Sequence, residues 1–181
     1  MQPDKFVLKT LVTEQQIKER IKELGQQITQ DYQGKDLLII GVLKGAWIYM
    51  ADLIREIDVN CTVDFLAASS YGASFETSGV VTITRDISTD VRGKDIILVE
   101  DIVDSGFTLN HLKKLMYERG ANSVRISTLL SKPSRRRVEI PVEYVGFEIP
   151  DAFVIGYGLD YIEKYRHLKD VCVVNTDMHN D

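Results

Sequence analysis

Two short segments constrain this chain more than any others: Asp36-Leu37-Leu38-Ile39-Ile40-Gly41-Val42 and Asp95-Ile96-Ile97-Leu98-Val99. Each is apolar almost without alternation. A strand with one wet face alternates apolar and polar residues. A strand covered on both faces does not, and such strands belong to parallel sheets packed between helices. Helical patterns lie between the runs. Over residues 13–31, Thr13-Glu14-Gln15-Gln16 has capping-box form, and Ile17, Ile21, Leu24 and Ile28 share one face before Gly34 ends the segment. A second helix follows Lys44-Gly45, with Ala46, Trp47, Met50, Ala51, Leu53 and Ile54 apolar. A third carries Leu109, Leu112, Leu115 and Met116, with Gly120 as its C′ residue. Further strands are expected at 61–70, 80–84 and 124–130, and short ones around 142–146, 153–156 and 171–174. Residues 71–79, YGASFETSG, read as a mobile loop or hairpin arm. This alternation predicts an α/β fold with a central, mostly parallel sheet flanked by helices. A length of 181 residues fits one domain.

In open α/β sheets, ligands bind beyond the carboxyl ends of the strands. The turn after Val99 is the most informative of these places. Glu100 and Asp101 stand side by side, Asp104 follows, and Ser105-Gly106-Phe107-Thr108 opens the third helix. Backbone amides at a helix start, with a glycine permitting close approach, form an anion site. The Ser105 and Thr108 hydroxyls add donors. The carboxylates do not bind phosphate, but they accept hydrogen bonds from sugar hydroxyls. One turn can thus hold both ends of a ribose 5-phosphate. An N-cap role for Asp104 or Ser105 is common at such turns. It leaves Glu100 and Asp101 unexplained, because paired carboxylates at the end of a buried strand repel each other and lose solvation. Familiar nucleotide motifs do not fit. There is no G-x-x-x-x-G-K-[ST] run, and Gly156-Tyr157-Gly158 starts like a dinucleotide fingerprint but has Tyr161 at the third glycine position.

Composition narrows the class further. With 22 Lys+Arg against 27 Asp+Glu the net charge is −5, the wrong sign for a general nucleic-acid binder. Cys61 and Cys172 are isolated thiols in apolar runs, without zinc spacing, and fit a reducing compartment. The first residues lack the apolar stretch of a signal peptide. The longest apolar run, 37–43, is far below the ~20 residues a membrane span needs. A soluble, cytoplasmic protein with no membrane partner is expected.

The segment Val99-Glu100-Asp101-Ile102-Val103-Asp104-Ser105-Gly106-Phe107-Thr108-Leu109 resembles the phosphoribosyl pyrophosphate motif of the type I phosphoribosyltransferases. From about Phe6 to about Asn175 the chain resembles more closely the hypoxanthine-guanine phosphoribosyltransferases, in their bacterial form. Leu43-Lys44-Gly45 matches their pyrophosphate loop, Ser70-Tyr71-Gly72 their flexible loop, and Ser131-Lys132-Pro133 their base-selecting lysine. Residues 145–151 and 153–161 match the hood and metal segment, and Arg166 follows at the family spacing.

The resemblance implies a type I fold in one domain over 1–181, with a small hood formed by the N-terminal segment and about 140–181. It implies transfer of 5-phosphoribosyl from phosphoribosyl pyrophosphate to N9 of hypoxanthine or guanine, giving IMP or GMP and pyrophosphate with Mg²⁺. It assigns Glu100 and Asp101 to the ribose hydroxyls and, with Asp160, to the metal. Asp104 becomes the general acid/base near purine N7. Ser105, Gly106, Thr108 and the Phe107 backbone wrap the 5-phosphate. Lys132 donates to the 6-oxo group, as an ammonium with donors only suits. Phe153 stacks on the base and Val154 meets its edge through the backbone. Arg166 and the Leu43–Lys44–Gly45 backbone meet pyrophosphate, across a Leu43–Lys44 bond that is cis in relatives, while Ser70 and Tyr71 belong to a loop closing over the site. A homodimer or homotetramer is implied as well. Arg135-Arg136-Arg137 reads as a solvated rim, with charge steering or a subunit contact as alternatives. His111 and His179 read as surface residues. Two other readings stand: a xanthine-preferring phosphoribosyltransferase, and a regulatory protein that keeps the fold and binds nucleic acid.

Overall fold

The structure is a computed structural model and describes residues 7–70 and 81–174. The elements in chain order are β1 (Val7–Val12), α1 (Glu14–Asp31), β2 (Leu37–Leu43), α2 (Trp47–Arg55), β3 (Cys61–Ser70), β4 (Val81–Arg85), β5 (Asp95–Val103), α3 (Phe107–Glu118), β6 (Ser123–Ser131), β7 (Tyr144–Glu148), β8 (Val154–Ile155) and β9 (Val171–Val174). Six strands form the main sheet in the order β4-β3-β2-β5-β6-β7. All neighbours in it are parallel except β4, which runs antiparallel to β3.

The missing alternation in β2 and β5 has its expected cause. Leu37, Ile39, Ile97 and Val99 pack into a core with Ile17, Ile21, Leu24 and Ile28 of α1 and Tyr49, Met50 and Leu53 of α2. Leu38, Ile40, Ile96 and Leu98 pack on the opposite face with Leu109, Leu112 and Met116 of α3. Each such side chain contributes about 1.5–3 kcal/mol on burial. The start of α1 is fixed as its sequence requires. The Gln16 amide donates to Thr13 Oγ1 at 3.3 Å, and the Thr13 amide donates to Gln16 Oε1 at 2.9 Å.

A second, antiparallel sheet of three strands, β1-β9-β8, forms a cap packed on α1 and α2 through Val12, Val154 and Val171. Its first strand was not expected, because VLKTLV mixes apolar and polar residues without a strict period. Pairing with β9 supplies what the local pattern lacks. Within the 140–181 span assigned to the hood, β7 is the outer strand of the main sheet rather than part of this cap.

Strand order places the site. From β2 the chain steps to β3 on one side and later returns to β5 on the other. Ligands bind at such a switch point, between the diverging carboxyl ends of the strands. Here that crevice separates the turn after β2 from the turn after β5.

Candidate active site

β5 is longer than its apolar run suggests. It continues through Glu100 and Asp101 to Val103, so the two carboxylates stand within the strand and not after it. Register explains this. Pairing with β2 stops at Gly41↔Val99, whereas pairing with β6 continues to Val103↔Ser131. The last part of β5 therefore overhangs the crevice with one edge uncovered. Into that gap comes Gly45, so close that a Cβ on it would overlap the Asp101 carboxylate. Only glycine fits there. Burial raises both carboxyls, and the adjoining Asp101 charge adds to the effect on Glu100, which lies well above its ordinary 4.5. Such a pair accepts its second negative charge most readily when donors or a cation arrive.

The helix after β5 begins without a side-chain cap. Its N-cap is Gly106 at φ 89, and neither Asp104 nor Ser105 caps it. The N-cap reading of those two residues is thereby set aside. The Ser105 carbonyl accepts the amides of Arg137 at 2.9 Å and Val138 at 3.2 Å, which fix the turn from behind. A cavity of about 260 Å³ opens in front of it, lined by Glu100, Asp104, Ser105, Gly106 and Thr108 among others. First-turn amides beside a small cavity suit an anion. Phe107 points to solvent at 37% exposure and leaves this space to the backbone.

A second cavity, about 480 Å³, adjoins the first and shares Ile102 and Asp104 with it. Its other walls are Asp101, Lys132, Arg135, Asp151, Phe153, Val154, Leu159 and Asp160. Lys132 is buried, not solvated, with its Nζ 3.8 Å from Asp151 Oδ1. Its amide donates to the Val103 carbonyl at 3.0 Å, tying the ends of β5 and β6 together. Phe153 keeps 45% of its surface open and is held edge-on by Tyr161, with centroids 5.7 Å apart. An open aromatic face over a cavity is a stacking platform. Val154 is buried in β8.

Of the remaining expected site residues, those described lie at the end of β2, at the end of β3 and after β8. The Leu43–Lys44 peptide is cis. Lys44 Nζ pairs with Glu163 Oε2 at 3.0 Å. Arg166 Nη2 lies 2.9 Å from Asp160 Oδ1, and its Nη1 donates to the Gly158 carbonyl at 2.8 Å. Ser70 ends β3, pairing with Val81 in β4. Tyr71 and the 71–79 stretch lie outside the described residues, as does His179. His111 is exposed on α3.

The sequence reading missed Arg135 and Asp151 as site residues. Arg135 ends a short 3-10 turn, Pro133–Arg135, and its Nε donates to Asp104 Oδ1 at 3.1 Å while Nη1 reaches Asp151 Oδ2 at 3.4 Å. The signal was present in the spacing. Three residues in one tight turn bring Arg135 back over Lys132. Arg135 and Arg137 are exposed, as the rim reading expects, but Arg136 is not. It is part-buried beside Gly106, donates to Ser131 Oγ at 3.0 Å, and has its Nη1 buried without a partner among the described residues.

Comparison with known proteins agrees with this geometry. Residues 8–162 match the sequence profile described as a phosphoribosyl transferase domain. The hypoxanthine phosphoribosyltransferase of Escherichia coli K12 is 49% identical over 166 residues, covering 91% of this chain and 93% of that protein. The hypoxanthine-guanine phosphoribosyltransferase of Bacillus subtilis is 51% identical, covering 92% of each. The crystal structure of a hypoxanthine phosphoribosyltransferase from Staphylococcus aureus superimposes with a TM-score of 0.93 at 43% identity, covering 97% of this chain and 95% of that one.

Proposed function

The chain belongs to the phosphoribosyltransferases, in the hypoxanthine-guanine branch, and on that premise we propose that it transfers 5-phosphoribosyl from phosphoribosyl pyrophosphate to N9 of hypoxanthine or guanine. IMP or GMP and pyrophosphate are the products, a purine-salvage reaction. One observation carries the assignment. Two adjoining cavities meet at Asp104, one built for an anion and the other holding a buried ammonium and an open aromatic ring.

A nucleotide laid across both cavities puts its 5-phosphate against Ser105–Thr108 and its purine beside Phe153. Glu100 and Asp101 lie between and accept from the ribose hydroxyls. Lys132 donates to the 6-oxo oxygen. The 6-amino group of adenine offers that buried ammonium a donor where it needs an acceptor, a costly mismatch. N9 attacks C1 as the C1–O bond to pyrophosphate breaks, and the leaving oxygen keeps the electron pair. The proton on purine N7 passes to Asp104. Arg135 occupies Oδ1 of that carboxylate, leaving Oδ2 for the base. Arg166 and the backbone of Leu43–Lys44–Gly45 hold the departing pyrophosphate.

The residues fit Mg²⁺. Among the described residues no cluster of three or more His, Cys, Asp or Glu is placed to cage a metal. Mg²⁺ is commonly held by one or two carboxylates together with substrate phosphates, and Asp160 and the Glu100–Asp101 pair line the two adjoining cavities that the substrates would share. When bound, it would offset negative charge on the leaving group.

The fold is read as one catalytic domain with its hood, because Val12, Val154 and Val171 of the cap share a core with α1 and α2. A homodimer or homotetramer working in the cytoplasm completes the reading. Cys61 and Cys172 are free thiols, and no described helix is long and apolar enough to cross a membrane. The test is direct. The protein is incubated with phosphoribosyl pyrophosphate, Mg²⁺ and each purine in turn. Nucleotide from hypoxanthine and guanine, but not adenine, is expected. Conversion of adenine, or of no base, would overturn the assignment, and faster turnover of xanthine than of both would move it to the xanthine-preferring enzymes.

A further inference from the structure

Tyr157 has no part in the reaction, yet its surroundings are unusually exacting. It is buried, and it stands at φ 50, in the left-handed region that side chains other than glycine rarely adopt. Its amide donates to the Leu168 carbonyl at 2.8 Å, and its hydroxyl donates to Asp52 Oδ2 on α2. Burial and the facing carboxylate hold that hydroxyl protonated far above its ordinary value.

The neighbouring residue explains the constraint. Gly158, at φ 101, presses on the pyrophosphate loop so closely that a Cβ would strike the Gly45 carbonyl oxygen. The Gly158 amide donates to the Arg166 carbonyl at 3.0 Å, and its own carbonyl accepts Arg166 Nη1. Arg166 in turn pairs with Asp160. α2 begins two residues after Gly45 and carries Asp52. A short circuit therefore closes on itself: Gly45, α2, Asp52, Tyr157, Gly158, and Gly45 again. Beyond the shared apolar core, another polar tie across this gap among the described residues is the Lys44–Glu163 pair, with both partners about two-thirds exposed. Exposed pairs hold geometry weakly. Of these two polar links, the Tyr157–Asp52 hydrogen bond is the firmer.

We propose that Tyr157 and Asp52 are positioning residues, whose hydrogen bond locks the hood onto α2 and holds Arg166 and Asp160 against Leu43–Lys44–Gly45 as one pyrophosphate-binding face. The proposal rests on the functional reading above and adds to it the element that makes two separate loops act as one site.

Tyr157→Phe removes one hydroxyl and keeps the ring. Asp52→Ala removes the acceptor, while Asp52→Asn keeps one. The probe is pyrophosphate with Mg²⁺, titrated by calorimetry, so binding is read without turnover. Tyr157→Phe and Asp52→Ala each weaken it about tenfold, the scale of one lost hydrogen bond to a charged group. The double variant is no weaker than either single, since both remove the same bond. Asp52→Asn stays near the parent. In assays the KM for phosphoribosyl pyrophosphate rises in parallel, while the KM for hypoxanthine stays put and thermal melts show a folded protein. Unchanged pyrophosphate affinity in folded Tyr157→Phe would overturn the latch alone. So would equal losses for pyrophosphate and hypoxanthine, which mark general loosening. A parent protein that does not bind pyrophosphate would instead overturn the functional reading beneath it.

Discussion

The two walls of the cleft are made in opposite ways. One wall is frame. Glu100 and Asp101 stand in the last part of β5, just past the stretch paired on both sides up to Val99, Asp104 follows the strand, and α3 leaves directly from the turn. The other wall, from Gly156 to Arg166, has almost no strand pairing, only the isolated bridges Gly156↔Leu159 and Tyr161↔Lys164. Tyr157, Ile162, Glu163 and Tyr165 all stand at positive φ there. Close backbone contacts and ion pairs hold it. The difference matches the tasks proposed for each wall. Ribose and 5-phosphate must stay still while C1 changes partner, and a strand-to-helix crossover in a packed sheet supplies that stillness. Pyrophosphate must be gripped and then released, which suits a segment anchored at a few points.

Breaking the frame wall at its chemistry gives the largest expected effect. Asp104→Asn keeps shape and hydrogen bonding but removes the proton acceptor. Its kcat falls on the order of 10²- to 10⁴-fold, the usual worth of a general acid/base, while calorimetry with phosphoribosyl pyrophosphate shows near-normal affinity. A near-normal kcat would end the acid/base role. Gly45→Ala comes next. The new methyl has nowhere to go except into the Asp101 carboxylate, so either that carboxylate or the loop shifts. A displacement near 1 Å at a reacting centre costs about a hundredfold in kcat/KM. A Gly45→Ala enzyme with full activity would show the two walls to be less closely fitted than they look.

How much could be read in advance follows the same division. The frame was largely legible, because Leu37–Val42 and Asp95–Val99 carry their double burial in their composition and Thr13–Gln16 carries its own cap. Strand β1 was not, since its hydrogen bonds go to β9, some 160 residues away in sequence. Glu100 and Asp101 were found by chemistry but placed beyond the strand, because where β5 loses its β2 neighbour depends on register. In the hood, Asp160 and Arg166 were legible through resemblance alone. The ion pairs joining Arg135 to Asp104 and Lys44 to Glu163 were invisible. Charged side chains choose partners in space, and a run such as Arg135-Arg136-Arg137 looks alike whether it faces water or a carboxylate.

Phe153 tests the hood wall more gently. Phe153→Ala removes the stacking face, and base–aromatic stacking is worth about 1–3 kcal/mol. The KM for hypoxanthine should rise about tenfold or more, with the KM for phosphoribosyl pyrophosphate unchanged. Thermal stability should barely move, because the ring is nearly half exposed. A large loss of stability instead would make Phe153 a packing residue and sever the hood from base recognition.

The smallest effect, and the one of opposite sign, returns to the frame. Burial and the adjacent Asp101 charge hold the Glu100 carboxyl well above 4.5 in the folded protein, whereas the unfolded chain titrates near 4.5. Between those two values the unfolded chain has already lost its proton and the folded one still binds it. Folding is therefore unhindered by Glu100 below about pH 4.5, and stability is lost as pH rises through the folded value. Glu100→Gln cannot ionise and escapes that loss. It should melt at a higher temperature than the parent at neutral to alkaline pH, with the advantage shrinking as pH falls toward 4.5, while kcat/KM for phosphoribosyl pyrophosphate declines. Melting curves taken across that range decide it. A variant less stable than the parent at pH 8 would mean that the frame wall tolerates its paired carboxylates without strain. The ribose-binding end of the cleft would then be as relaxed as the pyrophosphate end.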